Sequence, residues 1–225
     1  MQKYQLKVSE LYEAGHTLAW PYLSKVTYPW EILSEIKNLI MEIGEGLDKE
    51  KYDNPLEGVW IAKSAKVYPT AFIGAPCIIG ENTEVRHGAF IRGNALVGDN
   101  CVVGNSVELK NVIISDNVQV PHYNYVGDSV LGYRSHMGAG SITSNVKSDK
   151  TLVSVKSPEG VIETGLKKFG AMVGDYVEVG CNSVLNPGTV IGCHSNIYPT
   201  TSVRGVVPSD SIVKSGKGAE IIEKN

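Results

Sequence analysis

The 225-residue sequence has only three Phe and three Trp, and no apolar run long enough to span a bilayer. It has no excess of positive charge: 21 Lys and Arg face 24 Asp and Glu, for a net charge of -3. That balance gives no electrostatic case for a nucleic-acid or membrane-surface partner. None of the four cysteines, Cys77, Cys101, Cys181 and Cys193, forms a C-x-x-C pair, which argues against a zinc knuckle or a dithiol redox motif. The opening Met-Gln-Lys-Tyr-Gln-Leu-Lys lacks the apolar stretch of a secretory signal. These absences lead to the expectation of a soluble, cytoplasmic chain with free thiols and one main core.

What the sequence does have is a six-residue period. Aliphatic side chains recur at Ile61, Val67, Ile73, Ile79, Val85, Ile91, Val97, Val103 and Leu109. The phase slips by one residue and resumes at Ile114, Val120 and Val126, then slips again to Leu131 and Met137. After an interruption it returns at Val173, Val179, Leu185, Ile191, Ile197 and Val203. Glycine often follows the aliphatic residue, as at Gly74, Gly98, Gly127 and Gly174, and a small residue often stands four places after it, as at Ala71, Cys77, Thr83 and Cys101.

A helix needs a 3.6-residue period and a single β-strand a period of two, so neither accounts for this pattern. A triangular prism does. Each unit is a short strand plus a corner, three units close one coil, and the coils stack through parallel strand pairing. The fold class expected is all-β, a left-handed parallel β-helix of hexapeptide repeats over residues 57–207, with a loop excursion at 144–171. Cys77 and Cys101 take the small corner slot, where a thiol only fills space.

Residues 1–56 do not repeat. Ile32, Leu33, Ile36, Leu39, Ile40 and Ile43 fall at helical spacing between Pro29 and Gly44, which predicts one amphipathic helix of about fifteen residues. Its expected task is to cover the open first coil or to pack on a neighbouring subunit, with Trp20, Tyr22, Tyr28 and Trp30 in that packing. The excursion carries Lys147, Lys150, Lys156, Lys167 and Lys168, and long loops from a rigid scaffold tend to carry function. Residues 208–225 read as a polar tail, with one apolar pair at Ile221 and Ile222.

Among the five histidines, His87 and His194 fall in outward slots near corners. His122 lies between the two phase slips, where regular stacking breaks and side chains are re-aimed. Three ordered stretches sharpen this: Val103-Gly-Asn-Ser-Val-Glu-Leu-Lys110, His122-Tyr-Asn-Tyr-Val-Gly-Asp128 and Met137-Gly-Ala-Gly-Ser-Ile-Thr-Ser-Asn145. They resemble the acetyltransferase domain of the bifunctional glucosamine-1-phosphate acetyltransferase/N-acetylglucosamine-1-phosphate uridylyltransferases. Thr164-Gly-Leu-Lys-Lys-Phe-Gly-Ala-Met-Val-Gly-Asp175 is similar to the archaeal type. The similarity runs unbroken from about Arg92 to Asn145 and more loosely to about Val207.

The resemblance implies roles. His122 is the general base that takes a proton from the sugar amine as it attacks the acetyl-CoA thioester, a task suited to imidazole near neutral pH. Glu108 is a nearby carboxylate. Arg92, Lys110 and Lys168 hold the sugar phosphate, Tyr125 lies at the same site, and Asn145 orients the amino sugar. Cys181 falls where the family has a small residue near coenzyme A. The resemblance also implies a homotrimer with sites between subunits, acetyl-CoA as co-substrate and no metal. His136 departs from the asparagine of the relatives at a position that touches substrate. No Gly-rich L-x-x-G-x-G-[ST]-x-M-x-P nucleotide loop is present, so no uridylyltransferase activity is expected of this chain, and a separate nucleotidyltransferase partner is left open.

Two other readings stand beside this one. A trimeric binding or regulatory protein could keep the sugar-phosphate pocket without turnover. A γ-type carbonic anhydrase would need three convergent histidines, and the 14-residue separation of His122 and His136 does not match one coil.

Overall fold

The computed structural model describes residues 4–215. They form a left-handed β-helix of parallel strands. One coil visits three faces in turn. The first face holds Val59–Ala62, Cys77–Ile79, Ala95–Val97, Ala171–Val173, Thr189–Ile191 and Val206–Val207. The second is an eight-stranded sheet running from Lys66–Val67 to Ile212–Val213, so the rungs continue past Val207. The third includes Phe72–Ile73, Phe90–Ile91, Ile142–Thr143, Val184–Leu185 and Ser202–Val203. The periodic aliphatic residues fill the prism: Ile79, Val97, Ile114 and Leu131 are fully buried, with Cys77 and Cys101 beside them.

The two phase slips have a structural counterpart. At these places the chain shortens the corner between the third and first faces, and one continuous strand turns through it: Glu108–Ile114, then Tyr125–Leu131. The two pair in parallel with Glu108 beside Tyr125 and Lys110 beside Gly127. Asn111 (φ 55°) and Asp128 (φ 49°) make the bend in the left-handed conformation, which Asn and Asp tolerate better than other side-chain-bearing residues. The slips therefore place two polar side chains at one corner.

The N-terminal segment differs from expectation in form and place. Instead of one helix of about fifteen residues, a 3₁₀ turn at Pro29–Ser34 is followed by an α-helix at Ile36–Glu45. Instead of covering the open first coil, the helix lies along the first face. Ile36, Leu39 and Ile40 are buried against Ile78, Leu96, Ile113 and Val130, the outward side chains of successive rungs. The physical reason is legible in hindsight. These rungs carry an apolar outward residue as well as the inward one, and an uncovered apolar sheet face is costly. The first coil's edge is instead met by Tyr52–Leu56, which pairs antiparallel with Val59–Ala62. Of the four aromatics, Trp30 is buried and stacks between Tyr28 (4.6 Å) and Phe169 (5.7 Å), while Trp20 and Tyr22 pack at the margin of the same core.

The excursion from residue 144 forms an antiparallel hairpin of Ser154–Ser157 and Gly160–Glu163. Val153 and Val155 join the core beneath the N-terminal segment. Ile221 and Ile222 lie outside the described residues.

Candidate functional site

The site is built on the third face and its two corners. Strand register sets which side chains meet. Arg92, Lys110, Gly127 and Ser144 follow one another along one column, and Gly93, Asn111, Asp128 and Asn145 along the next, as the pairings Phe90–Glu108, Glu108–Tyr125 and Tyr125–Ile142 require. Neighbouring rungs stand about 4.8 Å apart, within hydrogen-bonding reach of long side chains.

Five of the nine expected site residues lie side by side on adjacent rungs, in two hydrogen-bonded groups. Arg92 Nη1 donates to Glu108 Oε1 at 2.8 Å. Lys110 Nζ donates to both carboxylate oxygens of Asp128, at 3.2 and 3.1 Å. Asn145 Nδ2 donates to the Tyr125 hydroxyl at 3.1 Å and to Asp128 Oδ2 at 2.5 Å. Asn111 Nδ2 adds a bond to Asp128 Oδ1 at 3.0 Å. Burial raises the Tyr125 phenol above its ordinary pKa, and the Asp128 and Glu108 carboxylates push it in the same direction.

Asp128 is the hub of this arrangement and was not singled out from the sequence. It is 4% exposed. A buried carboxylate needs paired charge and satisfied lone pairs, and Lys110, Asn111 and Asn145 supply both. Only the five-residue spacing at the slips signals it.

His122 stands at the corner between the second and third faces, at the end of Gln119–His122. Its imidazole is exposed and makes no hydrogen bond to other described residues. Its backbone is held firmly. The His122 N–H donates to Asn124 Oδ1 at 3.0 Å, and the buried Asn124 donates to the carbonyls of Gly138 (2.8 Å) and Ser141 (3.0 Å). Asn124, also missed from the sequence, fixes the loop that presents the histidine. Cys181 is exposed and follows His122 along the same corner, two rungs on, with Ala139 between them.

Lys168 is exposed, next to Phe169, whose N–H donates to the Asn145 carbonyl at 3.0 Å. His136 is placed apart. It pairs in register with Gln119, three residues before His122, and its Nδ1 lies 2.8 Å from Glu178 Oε2 on the outer side of the second face. Among the described residues, no three His, Cys, Asp or Glu side chains converge as metal ligands.

A cavity of about 400 Å³ lies away from these residues, between Tyr28 and the tip of the hairpin at Val161. Around Arg92 and Lys110 the third face is an open surface, with Phe72 and Phe90 exposed beside it. Such a surface becomes a pocket only when something covers it.

A family model described as the GMPPB C-terminal domain matches residues 75–191. The bifunctional protein GlmU of Methanococcus aeolicus is 34% identical over 208 residues, which cover 90% of this chain and 49% of that protein. The bifunctional sugar-1-phosphate nucleotidylyltransferase/acetyltransferase of Sulfurisphaera tokodaii is 30% identical over 183 residues, 79% of this chain and 45% of that protein. The chain thus spans about half the length of the curated relatives it matches. Among solved structures, the acetyltransferase domain of PglB from Neisseria gonorrhoeae in complex with acetyl coenzyme A is similar at 16% identity and a TM-score of 0.30, covering 72% of each chain.

Proposed function

The chain belongs to the GMPPB C-terminal domain family, and from its similarity to the acetyltransferase-bearing half of bifunctional sugar-1-phosphate enzymes we propose that it is an acetyl-CoA-dependent N-acetyltransferase acting on an amino-sugar phosphate, with glucosamine-1-phosphate the first candidate. The observation that carries this reading is a pair of hydrogen-bonded groups on adjacent rungs of the third face, Arg92–Glu108 and Lys110–Asp128–Asn145–Tyr125, with His122 at the edge of the same face. Two cations on adjacent rungs suit a phosphate, because a rigid coil supplies fixed donors at little ordering cost.

In the proposed step the sugar's 2-amino nitrogen attacks the thioester carbonyl carbon. His122, as the neutral imidazole, takes a proton from that nitrogen. The tetrahedral intermediate collapses, the C–S bond breaks, the amide remains on the sugar, and coenzyme A leaves as a thiolate that the imidazolium protonates. Glu108 holds Arg92 in place, and Asp128 holds Lys110 and Asn145.

A homotrimer fits the open third face, since a second subunit would supply the missing wall. His122 and Asn145 stand at opposite edges of that face within one chain, so a substrate lying between subunits could meet the histidine of one copy and the asparagine of another. Uridylyl transfer is not proposed for these residues, which carry no Gly-rich nucleotide loop.

The test is thiol release from acetyl-CoA with glucosamine-1-phosphate, comparing wild type with His122→Ala. Loss of a general base costs roughly a hundredfold or more, and the exposed position of His122 leaves the fold unchanged. No release by wild type across a panel of amino-sugar phosphates would replace this reading with a non-catalytic sugar-phosphate binding protein.

A further inference from the structure

The corner between the second and third faces repeats one backbone conformation from rung to rung. The pairings that set His87, Asn105, His122, Ala139 and Cys181 in line put Gly88, Ser106, Tyr123, Gly140 and Asn182 in the next column. All five take the left-handed conformation, at φ of 71°, 54°, 52°, 70° and 55° in that order. Glycine adopts it freely and Asn tolerates it, but a bulky side chain does so only under strain. Tyr123 is the aromatic among these five, and it follows His122 directly.

The neighbouring rungs hold that strain in place. The Tyr123 N–H donates to the Asn105 carbonyl at 2.9 Å, and the His122 carbonyl accepts the Gly140 N–H at 2.9 Å. Yet the ring gains nothing within the chain. It is 67% exposed, with no hydrogen bond or ring contact to other described residues. Tyr176 and His194 adopt the same conformation at another corner, and their rings stack on each other at 4.6 Å. A single exposed aromatic is ordinary. One kept in a strained conformation, with no partner among the described residues, serves a contact that the chain itself does not supply.

We propose that the Tyr123 ring packs against the sugar ring of the acceptor, beside the amine that reacts, and so selects an amino sugar over a bare phosphate. The naming of the acceptor rests on the acyl transfer proposed above. One short loop carries His122, Tyr123 and Tyr125, and Tyr125 joins the Lys110–Asp128–Asn145 group through the bond it accepts from Asn145. A ring between these two residues therefore stands beside the acceptor. A phenol matches a pyranose, because it offers a flat apolar face to the C–H edges and a hydroxyl to the oxygens. Ser106 and Gly140, one rung away on either side, are too small to cover it, and its face stays open to a ligand.

The test is calorimetric titration of the full chain with glucosamine-1-phosphate and with inorganic phosphate, beside a thermal melt, for wild type, Tyr123→Asn and Tyr123→Phe. Asn is at ease in the left-handed conformation, so Tyr123→Asn removes the ring and keeps the corner. Its affinity for glucosamine-1-phosphate is expected to fall about tenfold, the worth of one aromatic contact. Its affinity for phosphate should stay the same, and its melting temperature should equal or exceed that of wild type, since strain is relieved. Tyr123→Phe should retain most of the sugar affinity. Unchanged sugar affinity in Tyr123→Asn, an equal loss for phosphate, or a lowered melting temperature as the sole effect overturns the inference. Failure of wild type to bind glucosamine-1-phosphate does so too. Because the readout is binding, the role of the ring stands if the sugar binds and no acetyl transfer is found. It falls, with acetyl transfer intact, if thiol release by Tyr123→Asn keeps the wild-type KM for the sugar.

Discussion

A β-carbon at Gly127 would stand 2.4 Å from the phenolic oxygen of Tyr125, the same oxygen that accepts a hydrogen bond from Asn145. The atom in the way is the far end of a side chain, so it can yield without moving the coil. Gly127→Ala is therefore expected to displace the Tyr125 hydroxyl and break its bond to Asn145 while leaving the melting temperature nearly unchanged. The measurement is KM for the amino-sugar phosphate beside a thermal melt. A rise in KM of about tenfold, the worth of roughly one hydrogen bond, is expected. A large fall in melting temperature with unchanged KM would mean that the glycine serves only packing.

Lys110→Met should act on stability and on phosphate affinity together. It removes the charge paired with Asp128, which is 4% exposed. Asn111 and Asn145 still donate to that carboxylate, so the loss is smaller than for a wholly orphaned ion, about 1–3 kcal/mol by denaturant midpoint. Adding Asp128→Asn should recover part of it. No recovery in the double variant would show that the Lys110–Asp128 pair contributes little.

The join between the N-terminal helix and the first face predicts the cost of a cavity. Ile113 is fully buried in the cluster that holds Ile36, Leu39 and Ile40. Ile113→Ala is expected to cost about 2–5 kcal/mol and to speed hydrogen exchange throughout residues 36–45. Val67→Ala, on the partly exposed outer second-face coil, should cost much less. Equal costs for the two would contradict the packing described.

At the corner between the first and second faces, Asp175 and Asp116 are both pushed up to about 6, chiefly by burial. Their ordinary value is 3.8, so ionisation is less favourable in the folded chain. The contribution to stability is fully present below about pH 4 and is lost as pH rises to about 6. Asp175 also accepts the Tyr133 N–H of the neighbouring coil at 2.7 Å and the Glu13 N–H at 2.6 Å, and the latter ties the N-terminal segment to the coils. Wild type should therefore lose stability relative to Asp175→Asn between pH 4 and 6, read by chemical denaturation. A difference between the two that stays flat over that range would refute the shift.

The β-helix was legible because the hexapeptide period is a local property. Each aliphatic residue and its small corner partner can be read without knowing what stacks on them. The same holds for residues carried by contiguous motifs, such as Glu108, Lys110 and Tyr125, which the structure brings onto adjacent rungs. His136 shows the limit. It is 14 residues from His122, yet its side chain lies against Glu178, 42 residues further along the chain.

The sequence by itself determined the solenoid, its interruption at 144–171 and the cations and imidazole available for chemistry, because strand period, corner size and residue type all lie within a few residues of one another. Only the tertiary structure decided that Asp128 joins Lys110 to Asn145, that Asn124 fixes the His122 loop and that the N-terminal helix lies along a face and not over the end. Each of these depends on which residues stand one rung apart. That register is the sum of every corner before it, including two shortened ones, and no single stretch of sequence contains it.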